Sequence, residues 1–278
     1  DRKRYTRRYI ALLSPLSMEM TATRAFTHKP SIYALFVGAL VFTPFQLSAK
    51  NILVFAAAST ANALNAAIKA YPDKTNPIRV SYASSGALAR QIENGAPATL
   101  FLSASSPWTK RLSQRNLLAA NGTINLFKNR LVLAASKSSK LKIKITKDFD
   151  LAAKLSNGRL AMGDPSHVPA GIYAKAALKN LGVWRSLSRK TARTSDVRGT
   201  LALIERDEVP VGIVYKSDII ASKHTKVLDT FPEQSHPPIL YSLSIIKEHE
   251  AKAARRIFNF LQSANASAIF KKFGFSVK

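Results

Sequence analysis

Residues 81–98, SYASSGALARQIENGAPA, set Ser84, Ser85 and Gly86 directly before an apolar run in which Leu88 and Ile92 stand four apart. Hydroxyls in that place suit two kinds of chemistry. The oxygen can accept from an N–H of the first helical turn, as an N-cap does. Alternatively, hydroxyl and backbone can both donate to an anion held at the helix N-terminus, where N–H groups lack partners and about half a positive charge accumulates. The second use needs several such ends to gather, and the chain repeats the arrangement. Ser59 closes the apolar run 51–59 ahead of a helical pattern, and Ala170 precedes Gly171 at another helix start. Val197 follows Asp196 at a third, and Tyr215 ends the apolar run 209–215. On the residues alone, the cap and the anion cradle remain equally open.

Catalytic chemistry has less to work with. His28, His167, His224, His236 and His249 are scattered, and no H-E-x-x-H, G-x-S-x-G, G-x-G-x-x-G or Walker loop occurs. His167, in PSHVPAG, reads as loop structure; Asp164 beside Pro165 reads as a turn cap, and Trp108 and Trp184 as packing residues. The chain has no cysteine, which excludes disulfides, thiolate metal sites and a catalytic thiol. A binding protein without catalysis or cofactor is expected.

The elements that must position these residues alternate. Apolar runs at 51–59, 78–84, 99–105, 130–136, 158–164 and 209–215 read as strands. Between them lie helical patterns, such as Ala61, Leu64, Ile68 and Tyr71 ended by Pro72, and 196–208 and 250–262. Gly182 takes a C-cap position after the helix that starts near Ala170. The alternation predicts an α/β fold with mainly parallel sheets flanked by helices. In such sheets strand C-termini and helix N-termini share one edge, where ligands bind. The basic run KSSKLKIKITK (137–147) alternates with apolar residues and predicts an edge strand with a solvated face.

Residues 1–49 have the layout of an export leader. Arg24, His28 and Lys29 precede an eleven-residue apolar run from Ile32 to Phe42, and Leu47-Ser48-Ala49 ends in a small residue. Such a run is too short to span a bilayer, which needs about 20 residues. Met18 or Met20 is the expected start, with 1–17 outside the natural product. The mature chain then begins near Lys50, keeps 229 residues and, lacking cysteine, has no lipid anchor at its start. A soluble periplasmic protein is expected. The net charge is +26, of which 1–49 hold seven Lys/Arg against Asp1 and Glu19, leaving +21 beyond. That field attracts anions generally, nucleic acid included. The bases are scattered, however, and are not interleaved with stacking aromatics as single-strand binders require.

VFAAAST, YASSGALARQIENGAPA, GRLAMGDPSHVPAGIYAK, DVRGTLALIERDEVPVGIVYKSD and the closing FKKFGFSVK together resemble the periplasmic molybdate-binding proteins of ABC transporters, in order and spacing, from about residue 50 to 278. The resemblance implies a type 2 periplasmic-binding fold: two α/β lobes joined by two crossovers, with the ligand cleft between them. Lobe I is expected at 50–130 plus 225–278 and lobe II at 131–224. It implies that molybdate, or tungstate, is held by neutral donors. These are the hydroxyl and amide of Ser59 and of Ser85, the amides of Ala170 and Val197, and the hydroxyl of Tyr215. It implies delivery to an inner-membrane ABC permease by a monomer with no specific nucleic-acid partner. A binder of another tetrahedral oxyanion such as sulfate, or a basic nucleic-acid-binding protein, is the alternative. Thr99 and Ser105 stand where the family commonly has acids, and Gly86 where it has a third serine.

Overall fold

The computed structural model describes residues 51–277; the expected leader lies outside them. β1 (Ile52–Ala57) is buried along nearly its whole length and turns through a short 3-10 stretch, Ala58–Thr60, into α1 (Ala61–Ala70). Ala63, Leu64 and Ala67 form the buried side of α1, and Tyr71 stops it. Next come β2 (Ile78–Ala83), α2 (Ser85–Glu93), β3 (Leu100–Ser103), α3 (Ser106–Gln114) and β4 (Leu118–Lys128). Gly95, just past α2, adopts φ +85°, a left-handed turn that a glycine enters without steric cost.

After two residues the chain enters a second sheet. It comprises β5 (Leu131–Ser136), α4 (Leu151–Lys154), β6 (Leu160–Gly163), α5 (Pro169–Asn180), α6 (Trp184–Leu187) and β7 (Thr191–Thr194). It continues through α7 (Val197–Glu205), β8 (Val211–Tyr215), α8 (Lys216–Ala221) and β9 (Thr225–Thr230). The chain then returns to the first sheet as β10 (Leu240–Ile246), α9 (Lys252–Phe260), α10 (Ala264–Lys272) and β11 (Ser276–Val277). The strand orders are β11-β4-β10-β3-β1-β2 and β7-β6-β8-β5-β9.

Two lobes, each a sheet flanked by helices, are present as expected, but each sheet is mixed. β1 pairs in parallel with β2 and β3, and β6 with β7 and β8. β10 runs antiparallel to β3 and β4, and β5 antiparallel to β8 and β9. The crossovers cause this. A chain that leaves lobe I along β4 and comes back along β10 must run opposite ways on those two strands. The same holds for β5 entering lobe II and β9 leaving it.

Two expectations are corrected. β9 pairs with β5, so 225–230 belongs to lobe II, and the boundary drawn at 225 moves past Thr230. The run 137–147 forms no strand. Its alternation is real, since Ile143 and Ile145 are buried between exposed lysines. The segment is pinned by isolated bonds in place of a ladder, among them Lys137 N–H to the His224 carbonyl at 2.8 Å and Ile145 N–H to Asp229 Oδ2 at 2.7 Å.

The main core runs through both lobes. A smaller cluster of Phe55, Leu88, Ile92, Phe101, Leu112 and Ile246 seats α2 and α3 on the first sheet. That packing fixes where Ser85 points.

Candidate functional site

The five residues singled out in the sequence line one small cavity between the lobes. Lobe I contributes Ser59 and Ser85; lobe II contributes Ala170, Val197 and Tyr215. Each lies where a strand hands over to a helix, because a parallel strand's C-terminus and the next helix's first turn share one edge of the sheet.

The caps leave particular N–H groups over. Ser84, one position before α2, caps it by accepting from Ala87 N at 3.3 Å, so Ser85 does not serve as the cap. Asp196 Oδ1 accepts from Arg198 N at 2.8 Å and Gly199 N at 3.0 Å, passing over Val197 N. α5 has no side-chain cap and begins with Pro169, which lacks an N–H, so Ala170 carries its first donor. Ser85, Ala170 and Val197 sit in first turns, where no carbonyl four residues back lies within the helix.

The hydroxyls are equally specific. Ser85 Oγ accepts from Ala104 N at 2.9 Å, which leaves its hydrogen free. Ser59 Oγ lies 2.7 Å from Tyr241 Oη. Tyr215, 1% exposed, has its hydroxyl buried without a protein partner. Burial pushes that phenol well above its ordinary pKa, with Tyr241, Tyr173 and Asp218 nearby acting the same way, so it keeps its proton.

No free cation faces the cavity among the described residues lining it, although the chain is strongly basic. The nearby Arg198 is committed. Its Nε lies 2.9 Å from Oδ1 of the fully buried Asp218, and its Nη2 donates to the Ser59 carbonyl at 3.4 Å, from one lobe to the other. Asp218 Oδ2 accepts the Tyr215 N–H at 3.0 Å. Burial raises the Asp218 carboxyl to about 6, against the pull of Arg198. A buried charge pair of this kind is close to neutral overall and serves geometry more than attraction.

Gly86 has a structural reason. A Cβ there would overlap the His167 carbonyl oxygen and come within 2.8 Å of the Trp108 ring. The lobe II loop therefore rests on the first turn of α2, and His167 meets lobe I through its backbone. The His167 ring stays in its own turn, Nδ1 3.0 Å from Ser166 Oγ. Asp164 caps that turn, accepting from Ser166 N at 2.8 Å. Trp108 lies under the Arg90 and Arg111 guanidinium groups, at 5.7 and 5.8 Å.

Sequence reasoning missed the layer behind the lining. Tyr241, on β10, backs Ser59. Asn129, at the first crossover, donates from Nδ2 to Tyr241 Oη at 3.3 Å and to Ser217 Oγ at 2.9 Å. The only signal was a polar residue between two apolar runs, which any turn would also produce.

A family model described as bacterial extracellular solute-binding protein matches residues 52–276. The chain is 45% identical over 235 residues to the molybdate-binding protein ModA of Escherichia coli (strain K12), covering 82% of this chain and 90% of that protein. It is 42% identical over 248 residues to the molybdate-binding protein ModA of Haemophilus influenzae, covering 88% and 96%. The periplasmic molybdate-binding protein of Azotobacter vinelandii shares the fold, with a TM-score of 0.72 at 21% identity over 82% of this chain and all of that one.

Proposed function

From the premise that the chain belongs to the bacterial extracellular solute-binding proteins, which the match over 52–276 establishes, we propose that it captures molybdate, and tungstate equally, for delivery to an ABC permease. The ligand sits in the cleft, held by the hydroxyls and amides of Ser59 and Ser85, the amides of Ala170 and Val197, and the hydroxyl of Tyr215. The protein works in the periplasm as a monomer, without catalysis, cofactor or nucleic-acid partner. The observation that carries this reading is the Tyr215 hydroxyl, buried without a partner at a cavity whose other walls are helix starts. An unpaired buried hydroxyl costs about 1–3 kcal/mol, and a bound oxyanion removes that cost.

Selectivity follows from donor arithmetic. A tetrahedral dianion without a proton offers only acceptors, so a shell of donors satisfies it completely. Phosphate near neutral pH keeps a proton, which would face another donor. That mismatch, about 1–3 kcal/mol, rejects it roughly ten- to a hundredfold. Sulfate has the charge pattern of molybdate, so only the size of a rigid cage separates the two. Two lobes on two crossovers close by hinge motion, and the Arg198–Ser59 and Gly86–His167 contacts belong to the closed form.

Calorimetric titration with molybdate, tungstate, sulfate and phosphate is the test. Molybdate and tungstate should bind alike, with sulfate and phosphate weaker. Equal affinity for sulfate and molybdate would overturn the assignment.

A further inference from the structure

The lining hydroxyls are oriented by what lies behind them, and for Ser59 that layer is made of side chains. Asn129 Oδ1 accepts from Arg130 N at 2.8 Å, which fixes its amide so that Nδ2 is the donating end. Nδ2 then gives one hydrogen to Ser217 Oγ in lobe II and the other to Tyr241 Oη in lobe I, at 2.9 and 3.3 Å. Tyr241 is fully buried, and burial raises its pKa far above the ordinary phenol range, so it is a protonated hydroxyl. Its oxygen already accepts from Asn129, and the neighbour left for its hydrogen is Ser59 Oγ at 2.7 Å. The opposite orientation would have Ser59 donate to Tyr241 and leave a buried phenol hydrogen without an acceptor, which costs about 1–3 kcal/mol. The chain of donation therefore runs one way: Asn129 to Tyr241, Tyr241 to Ser59, Ser59 into the cavity.

We propose that Asn129 and Tyr241 are positioning residues that make Ser59 an obligate donor, so that the cleft's preference for unprotonated oxyanions is set behind the lining as well as in it. Ser85 needs no such side chain, because the Ala104 backbone amide at 2.9 Å occupies its acceptor side permanently. The Ser59 arm is thus the one that substitution can reverse. Because Asn129 stands at the crossover and is bonded to both lobes, its amide is held in register when the lobes are closed.

The inference rests on the oxyanion reading above, and its test uses a ratio. In mildly alkaline buffer arsenate is a dianion that still carries one proton, matching molybdate in charge and differing by that proton. Tyr241→Phe keeps the ring and removes the hydroxyl, so Ser59 becomes free to rotate and accept. Molybdate affinity should fall only about two- to threefold, because Ser59 keeps its hydrogen and can still turn it to the ion. Hydrogen arsenate should bind tighter, because Ser59 can now accept its proton, so that the molybdate-to-arsenate ratio drops about tenfold. Asn129→Asp replaces the donating amide with an acceptor. Tyr241 then donates to the carboxylate, Ser59 donates to Tyr241, and a lone pair faces the ligand. The added charge weakens both dianions alike, so the ratio again isolates the orientation and should drop at least as far.

A purely structural role would lower both affinities together. An unchanged ratio in both variants overturns the proposal. If the wild-type protein binds sulfate and not molybdate, the functional reading fails, and the same variants judge the relay by the sulfate-to-arsenate ratio.

Discussion

The two walls of the cleft present donors made of different materials. Lobe I brings hydroxyl side chains, Ser59 and Ser85, each with its acceptor side occupied by a second group. Lobe II brings backbone, the N–H groups that open α5 and α7, with Tyr215 as its single hydroxyl. A hydroxyl can be lost by changing one residue. A backbone donor survives every substitution except proline. On the function proposed above, chemical selectivity would reside mainly in lobe I, and lobe II would supply a fixed positive end against which the ion is pressed.

The largest way to break this contrast is to remove a lobe I hydroxyl. Ser59→Ala and Ser85→Ala should each weaken molybdate binding about ten- to a hundredfold, since a hydrogen bond to a charged group is worth ~1.5–3 kcal/mol. Both proteins should remain folded, as circular dichroism can verify. Unchanged affinity in both would remove the distinction between the lobes.

In lobe II the matching experiment separates side chain from backbone at Val197. Val197→Ala keeps the N–H and should shift the dissociation constant by less than about threefold. Val197→Pro deletes the N–H at a first helical position that proline tolerates, after an Asp196 whose extended backbone, φ −158° and ψ 176°, suits a following proline. It should cost about tenfold or more. If alanine and proline behave alike, the donor is not the backbone.

Gly86→Ala sharpens the picture at the contact between the lobes. A methyl there meets the His167 carbonyl and the Trp108 ring, and overpacking of this kind costs ~1–3 kcal/mol. The Trp108 overlap lies within lobe I and should lower unliganded stability by about 1 kcal/mol, whereas the His167 overlap exists only when the lobes meet and should lower affinity about tenfold. Small-angle scattering should record incomplete contraction on ligand addition.

The smallest effect is on pH. Asp218 titrates near 6 when folded, above its ordinary 3.8, chiefly because it is buried. Between those values the folded state holds a proton that the unfolded state has released, so this group's contribution to stability falls as pH rises from about 4 to about 6. Buried His236 has a lowered pKa and acts the other way, since its neutral form favours folding as pH rises. The difference in urea midpoint between wild type and Asp218→Asn isolates the Asp218 slope. That difference should change through the window and level off above it.

Much of the design was legible in the residues, for identifiable reasons. Side chains that signal through their own chemistry, Ser59, Ser85 and Tyr215, stood at strand-to-helix boundaries whose periodicity was clear. Ala170 and Val197 carry no chemical mark, since any residue supplies an N–H; their places at helix starts drew attention to them, and the resemblance of GDPSHVPAGIYAK and DVRGTLALIE to family motifs supplied the role expected of their amides. The mixed sheets were not visible, because strand direction depends on how the chain crosses between lobes and leaves no trace in local hydropathy. The lysine-rich run 137–147 misled for a related reason. Alternate burial at Ile143 and Ile145 arises wherever an extended segment lies on a core, whether or not its backbone joins a ladder. Tyr241 and Asn129 escaped notice because their role comes only from distances of 2.7 and 3.3 Å across the fold.

On the function proposed above, neutral hydroxyls and peptide nitrogens from both lobes enclose one fully deprotonated tetrahedral anion. Crystals grown with tungstate can show whether they do, because anomalous scattering locates the tungsten independently of the surrounding chain. A single strong peak is expected between Ser85 and Tyr215, with oxygens accepting from Ser59, Ser85, Ala170, Val197 and Tyr215. A peak beside Arg130 and Lys216 at the crossover cavity, with the cleft lacking one, would rule this arrangement out.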